Sequence, residues 1–380
     1  MSEASLCIGV VGAGSFAAFA VEQFLRIPGV TLGGVADTRP EAAAALARRF
    51  GVEPLADWTS LLERAEVDLI YLATPPFLHF PQARQALEAG RHVISEKPLA
   101  VSVEQADQLV ALARQRNRLC VANLMQRYNP MFDAVRGLIE SRALGDVLHG
   151  YFENYAGDEG LAPAHWFWNR AQSGGIFIEH GVHFFDLFAG WLGPGRVVAA
   201  QRTRRPGSGL EEQVQCTVRY AAGVHVNFYH GFTQPARLDR QQFRLLFERG
   251  EITLEEWVPI RARLDGLVNE ETLQAVTRLF PDAEVEVKET YAGAKQSVRG
   301  RHKEFTADRR VELRAGANAD KAERYRALVR AMLEDQWAWI RDPAHARRIT
   351  EQNGRDSVVM AEAATRLADR AETGPAAAGE

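Results

Sequence analysis

The sequence predicts an α/β protein of two domains, in which a parallel sheet wrapped by helices comes first and a large, mostly antiparallel sheet follows. Over the first 125 residues, short apolar segments alternate with helical patterns, which is typical of βαβ units. After Asn129-Pro130, strand-like segments follow one another with few helices between them, which favours antiparallel pairing. With 380 residues, 46% of them hydrophobic, the chain is long enough to bury two cores.

The first domain is predicted to alternate buried strands with helices. The strands are Cys7–Val11, Val30–Ala36, Asp68–Ala73, His92–Ser95 and Leu119–Ala122. The helices are Phe16–Arg26, Pro40–Phe50, Trp58–Arg64, Phe80–Ala89 and Ser102–Arg114. Because each strand leads into a helix through a short connection, the strands are expected to run parallel.

The second domain is expected to be α+β with an open sheet. Its strands are predicted at Val147–Asn154, Val197–Arg204, Gln213–Tyr220, Val224–Gly231, Phe243–Phe247 and Glu284–Thr290. Its helices are predicted at Met131–Ser141, Gly175–Trp191, Lys321–Ile340 and Asp356–Ala371. Residues 280–318 alternate charged and β-branched residues, so they are predicted as an edge strand or hairpin extension, with an oligomer contact as one candidate role. The expected boundaries are 1–125 and 126–371, followed by a flexible tail at 372–380.

Composition argues against several classes of protein. A formal charge of −4 and a pI of about 6.2 give no sequence-wide attraction to nucleic acid or to anionic membranes. No apolar segment reaches the roughly 18 residues of a membrane span. Cys7, Cys120 and Cys216 are too few and too widely spaced for a disulfide framework or a CxxC metal site. Because the N-terminal segment also lacks the basic region of a signal peptide, we expect a cytoplasmic protein.

Lysine usage sets one residue apart. Five of the 45 basic residues are lysines, and Lys97 is the only one within the first 287 positions. Unlike arginine, lysine is a compact donor whose pKa can be lowered by burial. A lone lysine in an arginine-rich region is therefore a candidate for chemistry, with chance as the alternative at this point.

A glycine-rich turn follows the first predicted strand. Residues 8–17 read IGVVGAGSFA, in which Gly12, Gly14 and Ala17 match the G-x-G-x-x-[GA] pattern that places a pyrophosphate at a helix N-terminus. Asp37 follows at the end of the second strand, where a carboxylate accepts hydrogen bonds from a ribose and repels a 2′-phosphate. The pattern predicts NAD, while Arg39 leaves NADP open; a turn without a ligand is the alternative. The contacts expected from this segment are Gly12, Gly14, Ser15, Phe16, Asp37 and Arg39.

Two further loops end at the same edge of the sheet. One follows the predicted strand Asp68–Ala73, and the other, with sequence SEKP, follows His92–Ser95. Ligands bind open α/β sheets at the carboxyl ends of the strands, so both loops are expected to face the cofactor. The additional contacts expected there are Ala73, Thr74, Pro75, His79, Glu96 and Lys97.

A helix predicted in the second domain carries further titratable groups. Glu179 and His183 are four residues apart and share a helix face, so the carboxylate is expected to orient the imidazole and to raise its pKa. A core helix with an incidental ion pair is the alternative. His180, His183 and Asp186 also suggest a metal site, but there is no H-E-x-x-H motif and no further ligand stands out, so no metal is expected.

An aromatic segment precedes this helix. Trp166, Trp168 and Arg170 are predicted to contact a substrate, because indole faces suit C–H surfaces and a guanidinium suits hydroxyl or carboxylate groups. A core position for the tryptophans is the alternative. Arg127 and Tyr155 are weaker candidates for the same rim.

Together these motifs resemble the glucose–fructose oxidoreductase / inositol dehydrogenase / MocA family. The resemblance rests on the glycine-rich turn, the A-T-P segment with His79, the segment ALEAGRHVISEKPL at 86–99, QRYNP at 126–130 and the G-G-x-x-x-E-x-G-x-H helix. It implies an N-terminal Rossmann domain that binds NAD or NADP, a C-terminal domain with an open sheet, and Lys97 as a catalytic residue. The family helix usually supplies an aspartate and a histidine; here the positions hold Glu179 and His183. Pro76 stands where the family often has asparagine.

The function expected is hydride transfer between a nicotinamide cofactor and a secondary alcohol or ketone of a sugar, a sugar derivative or a cyclitol. In this hypothesis His183 takes the hydroxyl proton, Lys97 stabilises the charge on the same oxygen, and Glu179 orients His183 or binds a neighbouring hydroxyl. One alternative is transient oxidation that drives glycoside cleavage or elimination, and another is a dinucleotide sensor without catalysis. Because an open sheet exposes one face, a homodimer or homotetramer is expected.

Overall fold

The computed structural model describes residues 5–158 and 160–373, and these fall into two compact units. The first unit takes the described residues of 1–128 together with 162–186 and 325–365. The second takes 129–161, 187–324 and the described residues from 366 on. Each unit is therefore discontinuous in sequence, whereas the sequence patterns suggest consecutive segments. Of the predicted tail, Glu372 and Thr373 end the last helix, and residues 374–380 lie outside the described residues.

The strands and helices have the following bounds. The strands are β1 Leu6–Val11, β2 Val30–Ala36, β3 Pro54–Leu55, β4 Leu69–Leu72, β5 His92–Ser95, β6 Cys120–Ala122, β7 Val147–Ala156, β8 Gly195–Arg204, β9 Glu211–Tyr220, β10 His225–Phe232, β11 Arg240–Phe247, β12 Gly250–Glu255, β13 Arg261–Val268, β14 Glu284–Thr290, β15 Ser297–Gly300, β16 Lys303–Thr306 and β17 Arg309–Ala315. The α-helices are α1 Ser15–Phe24, α2 Pro40–Phe50, α3 Ser60–Glu63, α4 Pro76–Glu88, α5 Val103–Arg116, α6 Pro130–Ser141, α7 Arg170–Ser173, α8 Val182–Leu192, α9 Glu270–Leu279, α10 Lys321–Arg341 and α11 Glu351–Thr373.

The first unit contains a six-stranded sheet with the order β3-β2-β1-β4-β5-β6, and every pair in it is parallel. This confirms the predicted parallel sheet. The direction of winding reverses between β1 and β4, and the carboxyl ends of these strands border the crevice in which such sheets bind ligands. The interior strands are largely buried, and every residue of Leu69–Leu72 is buried, which explains why they read as short apolar segments.

Local signals set the ends of the helices around this sheet. The Ser102 side chain accepts a hydrogen bond from the backbone N–H of Gln105 and caps α5. Helix α2 ends at Gly51, whose φ of 70° is a left-handed conformation that glycine adopts without strain. Helix α4 begins at Pro76, three residues ahead of His79, and thus earlier than its predicted start at Phe80.

The second unit contains a nine-stranded sheet with the order β14-β17-β13-β12-β11-β7-β10-β9-β8. Its pairs are antiparallel except for β7 with β10, which confirms the mostly antiparallel prediction. One face is apolar: Phe152, Phe228 and Phe243 are buried there, and Phe188 packs edge-on against the Phe228 ring with centroids 5.1 Å apart. The predicted edge strand in residues 280–318 is confirmed, because β14 is the outermost strand; β15 and β16 form a separate hairpin.

One predicted element differs in kind. The helix expected over Gly175–Trp191 consists of a π-helical turn, Phe177–Gly181, followed by α8. Such turns occur mostly as short insertions in α-helices and often at functional positions. None of the helices in the described part of the chain is long and apolar enough to cross a membrane.

Candidate active site

A crevice of about 710 Å³, partly open to solvent, lies at the carboxyl ends of the parallel strands in the first unit. Its volume falls within the roughly 300–1,000 Å³ typical of ligand sites, and its position at the glycine-rich turn fits a dinucleotide. The predicted cofactor residues that line it are Gly12, Gly14, Ser15, Phe16, Asp37, Arg39, Ala73, Thr74 and Pro75. The lining also contains Asp57, Trp58, Gln82, His165 and Trp166.

The two glycines of the turn have different roles. Gly12 has a φ of 98°, and a Cβ there would lie 2.5 Å from the carbonyl oxygen of Ala73, so the close approach of β1 to the next loop requires glycine. Gly14 precedes α1, and a Cβ there would meet nothing within 4 Å. The space beside Gly14, at the first turn of α1, therefore fits the pyrophosphate of a dinucleotide.

We expect Gly14→Ala to weaken NADH binding by about tenfold, which corresponds to about 1.4 kcal/mol, while the melting temperature stays unchanged. The added methyl group would enter open space that the pyrophosphate would need, and the φ of −74° at Gly14 suits alanine. Fluorescence titration with NADH and thermal unfolding measure the two effects. Gly12→Ala is the matched control, because its methyl group would clash with the backbone and lower the melting temperature. Wild-type NADH affinity in Gly14→Ala would contradict this placement.

Asp37 links the glycine-rich turn to the end of β2. Its Oδ2 accepts a hydrogen bond of 2.7 Å from the N–H of Ala13, and its Oδ1 accepts one of 2.8 Å from the N–H of Arg39. Burial by itself would raise the pKa of Asp37, but hydrogen bonds from the Arg39 side chain and from these two backbone groups lower the pKa below its usual value. Asp37 is therefore a carboxylate at neutral pH, as ribose recognition requires.

We expect Asp37→Asn and Arg39→Ala to change cofactor preference in opposite directions. Asp37→Asn removes the charge that repels a 2′-phosphate, so NADPH affinity relative to NADH should rise by about tenfold. Arg39→Ala removes an exposed guanidinium beside that carboxylate, so the same ratio should fall. Dissociation constants of NADH and NADPH, measured for each variant and for the wild-type protein, give this ratio. A ratio that moves in the same direction in both variants would contradict these roles.

Lys97 is held by a partner 82 residues further along the chain. Its Nζ donates to the backbone carbonyl of Glu179 at 2.8 Å and also forms an ion pair with the Glu179 carboxylate. Both side chains are largely buried. The Lys97–Pro98 peptide bond, which follows directly after β5 and Glu96, is cis. The structure thus brings together the lone lysine and the glutamate at the family's aspartate position.

The environment of His183 differs from the prediction. The expectation that Glu179 raises its pKa is wrong: burial of the imidazole lowers the pKa well below its ordinary value, and the nearby Lys97 ammonium lowers it further. The Glu179 carboxylate is paired with Lys97 instead. His183 is therefore a neutral imidazole at neutral pH, able to accept a proton.

His79 and Glu96 lie behind the crevice wall. The His79 ring is completely buried, with Nδ1 2.7 Å from the carbonyl oxygen of Pro98 and Nε2 2.7 Å from that of Thr74. Glu96 Oε1 accepts hydrogen bonds from the Tyr71 hydroxyl at 2.5 Å and from Asn123 Nδ2 at 2.8 Å, and burial raises its pKa. These two residues are absent from the described lining of the crevice, and their side-chain contacts hold the loops; a cofactor contact at either residue stays a prediction.

The predicted substrate residues are distributed unevenly. Trp166 lines the crevice, whereas Trp168 and Arg170 lie in the turn and short helix that follow it, outside the described lining. Arg127 forms a close two-pronged ion pair with Asp186, Nε to Oδ2 at 2.7 Å and Nη2 to Oδ1 at 2.9 Å, so its guanidinium has a structural partner. Tyr155 belongs to β7 of the second unit, with the Arg240 guanidinium 4.3 Å from its ring centroid.

Some lining residues are absent from the sequence-based predictions. Asp57 and Trp58 follow β3, a strand of two residues that gives almost no pattern. Gln82, on helix α4, accepts a hydrogen bond of 2.7 Å from the Thr74 hydroxyl. It is part of no recognisable sequence motif. The described residues also contain no group of three or more His, Cys, Asp or Glu side chains placed to hold a metal ion.

Family models match both halves of the chain. Residues 6–124 match a model described as an oxidoreductase family with an NAD-binding Rossmann fold, and residues 132–253 match the GFO/IDH/MocA C-terminal domain. The chain belongs to the Gfo/Idh/MocA family. As a member of this oxidoreductase family it binds a nicotinamide cofactor, NAD or NADP, on its Rossmann fold, which confirms the predicted family, fold class, enzyme class and cofactor.

Relatives within the Gfo/Idh/MocA family include two reductases of nucleotide-linked sugars. The dTDP-3,4-didehydro-2,6-dideoxy-alpha-D-glucose 3-reductase of Saccharopolyspora spinosa is 28% identical over 284 residues, which cover 70% of this chain and 82% of that protein. The enzyme of the same name from Streptomyces violaceoruber is 35% identical over 144 residues, 38% of this chain and 42% of that protein. The match to the second enzyme therefore spans less than half of either protein.

A solved structure in the same fold extends over nearly the whole chain. Levoglucosan dehydrogenase, in complex with NADH and levoglucosan, has a TM-score of 0.75 and 18% sequence identity, and the match covers 96% of this chain and 98% of that one. At this identity the likeness shows a shared fold, with both domains present.

Proposed function

We propose that this protein transfers a hydride between a nicotinamide cofactor and a secondary alcohol or ketone of a sugar, a sugar derivative or a cyclitol. The observation that carries the proposal is the Lys97–Glu179 pair, which lies in the unit that contains the cofactor crevice. The Lys97 ammonium is also near enough to His183 to lower the pKa of its imidazole. A lysine ammonium and a neutral imidazole are the groups that polarise a carbonyl or deprotonate an alcohol.

Each group has a distinct part in this chemistry. When bound, the nicotinamide supplies the hydride acceptor or donor. The Lys97 ammonium donates a hydrogen bond to the substrate oxygen and stabilises the negative charge that develops there. His183, kept neutral by burial, takes the hydroxyl proton during oxidation and returns it during reduction. Glu179 positions the ammonium through its carboxylate and its backbone carbonyl.

The remaining sequence-predicted contacts complete the proposed site. Trp166 would form an aromatic wall, because it lines the crevice together with His165. Trp168 and Arg170 remain proposed substrate contacts, Tyr155 stays a prediction from the sequence, and Arg127 acts through Asp186 as a positioning residue. Residues 1–125 and 126–371 are proposed as the NAD(P)-binding domain and as the domain for substrate binding and oligomerisation.

The names of the relatives suggest which substrates to try first. Two are reductases of a dTDP-linked keto sugar, and one neighbour of known structure is complexed with an anhydrosugar. A panel of free aldoses, inositols, deoxy sugars, an anhydrosugar and a nucleotide-linked keto sugar, assayed with NAD(H) and NADP(H) separately, tests the proposal by absorbance at the reduced-nicotinamide band. Tight NADH binding without turnover of any panel member would favour the sensor hypothesis instead.

We also propose a cytoplasmic homodimer or homotetramer. Support comes from the open face of the nine-stranded sheet, where Tyr151, Tyr155 and Tyr229 lie among polar side chains and line a shallow depression with Gln215 and Asn227. Light scattering after gel filtration tests the oligomeric state, and a charged substitution at Tyr151, which is 37% exposed, should shift it toward monomer. An unchanged mass in that variant would argue against this face.

A further inference from the structure

His79 connects two loops that the proposed reaction uses for different purposes. Its ring, on helix α4, lies between Thr74, which lines the cofactor crevice, and Pro98, which follows Lys97. Nε2 is 2.7 Å from the Thr74 carbonyl oxygen and Nδ1 is 2.7 Å from the Pro98 carbonyl oxygen. The ring is fully buried, so water does not substitute for either contact.

On one side of the ring, the contact with Thr74 fixes a loop that lines the cofactor crevice. The backbone of this loop packs directly on the glycine-rich turn, since a Cβ on Gly12 would lie 2.5 Å from the Ala73 carbonyl oxygen and 3.1 Å from the Thr74 nitrogen. The Thr74 hydroxyl also donates to Gln82, another crevice residue. A shift of this loop would therefore change the shape of the cofactor crevice.

On the other side of the ring, the contact with Pro98 fixes the backbone next to Lys97. The Pro98 carbonyl is one residue beyond Lys97, whose ammonium must reach both the carbonyl and the carboxylate of Glu179. A flexible four-carbon side chain is held in one place only if its backbone is also fixed. Anchoring the Pro98 carbonyl fixes that backbone.

Both partners of the ring are acceptors, so each nitrogen is useful only as an N–H donor. A neutral imidazole carries one N–H, and an imidazolium carries two. Burial lowers the pKa of His79 below its ordinary value, although the two carbonyl groups act in the opposite direction, so the neutral ring shares one N–H between its two contacts. A side chain with a single fixed donor would therefore keep one contact and lose the other.

We propose that His79 is a positioning residue with two separable functions: its Nδ1 side fixes Lys97 for hydride transfer, and its Nε2 side fixes the Thr74 loop for cofactor binding. The first part rests on the proposed function, and the second requires only that the crevice binds the cofactor.

Three substitutions separate the two functions. In His79→Asn the amide nitrogen replaces Nδ1, in His79→Gln it replaces Nε2, and in His79→Leu neither donor remains. Because a typical intramolecular hydrogen bond makes a modest net contribution, each variant should change the readout of the side that loses its donor by about 2- to 10-fold. His79→Asn should keep the kcat and weaken NADH binding, His79→Gln should keep NADH binding and lower the kcat, and His79→Leu should lose both.

Two of the readouts need no substrate. NADH dissociation constants report on the Thr74 side. Peptide-resolved acetylation of Lys97 with acetic anhydride reports on the Pro98 side, because a displaced lysine reacts faster than one paired with Glu179. Acetylation should be accelerated in His79→Gln and His79→Leu but not in His79→Asn. If the wild-type protein reduces no panel substrate, the proposed function fails, while these two measurements still decide the proposal on His79.

His230→Leu is the matched control, because His230 is also a completely buried histidine but belongs to β10 of the second unit. It should change neither NADH binding nor Lys97 acetylation. If His79→Leu does not fold, the comparison of His79→Asn with His79→Gln decides the outcome. Equal effects of these two variants on both readouts, or wild-type behaviour of both, would overturn the proposal.

Discussion

Lys97→Met lowers the kcat by about 10²–10³-fold while NADH affinity stays within a factor of two or so: this is the largest effect we expect from a single substitution. The magnitude is that of removing one donor aimed at a developing oxyanion. Methionine preserves most of the side-chain volume but has no charge and no N–H. Single-turnover rates with the best substrate of the panel, together with NADH titration, measure the two quantities.

Loss of the Lys97–Glu179 ion pair also destabilises the folded protein, so a second variant must remove the Glu179 charge as well. Lys97→Met leaves the buried Glu179 carboxylate without its ammonium partner, a change that destabilises folded proteins by about 3–5 kcal/mol. Lys97→Met with Glu179→Gln removes both charges and should restore the melting temperature but not the kcat. Recovery of turnover in the double variant would show that Lys97 acts through stability alone. Lys321→Met, an exposed lysine paired with Glu256, serves as a matched control.

His183→Asn is expected to lower the kcat by about 10²–10⁴-fold, the usual contribution of a general base. The wild-type pH profile supplies the second half of this prediction. Because burial and Lys97 lower the pKa of His183 well below its ordinary 6.5, the imidazole stays neutral as the pH falls through that value. The rate of alcohol oxidation should therefore remain level through pH 6.5 and decline only at lower pH.

The variant should lose this acidic decline, since its side chain does not titrate. His180→Ala, on the π-helical turn that precedes α8, is the control, and it should leave the profile unchanged. A decline centred at or above pH 6.5 in the wild-type protein would mean that another group accepts the proton. The expected profile concerns the free enzyme, so kcat/KM rather than kcat is the quantity to plot.

Most of the first sheet could be predicted from sequence because its strands are largely buried and read as apolar segments. Strand β13 was missed because its buried positions include Ala262 and Gly266, whose low strand propensity weakens the alternation with the charged residues between them. Strand β3 has two residues and no period at all. Predictions from periodicity therefore work best where tertiary structure buries a whole segment.

Sequence motifs predicted many residues of the candidate site, but they did not predict the pKa shifts of its titratable groups. The glycine-rich turn and Asp37 line one crevice, as their spacing indicates. The direction of the His183 pKa shift depends on burial and on Lys97, a residue 86 positions earlier, and neither is visible in the local sequence. The burial of the His79 ring between two carbonyl groups is likewise a tertiary contact that no local motif indicates.

The discontinuity of the first unit has a consequence for recombination between relatives. Lys97 precedes the first excursion of the chain into the second unit, and Glu179 follows it. Any chimera joined once between Pro98 and Ile178 therefore takes the ammonium from one parent and its carboxylate partner from the other. Where the other parent carries the aspartate usual in the family, the pair changes in length by one methylene group without any point mutation. Only exchanges that move both segments together inherit the pair intact.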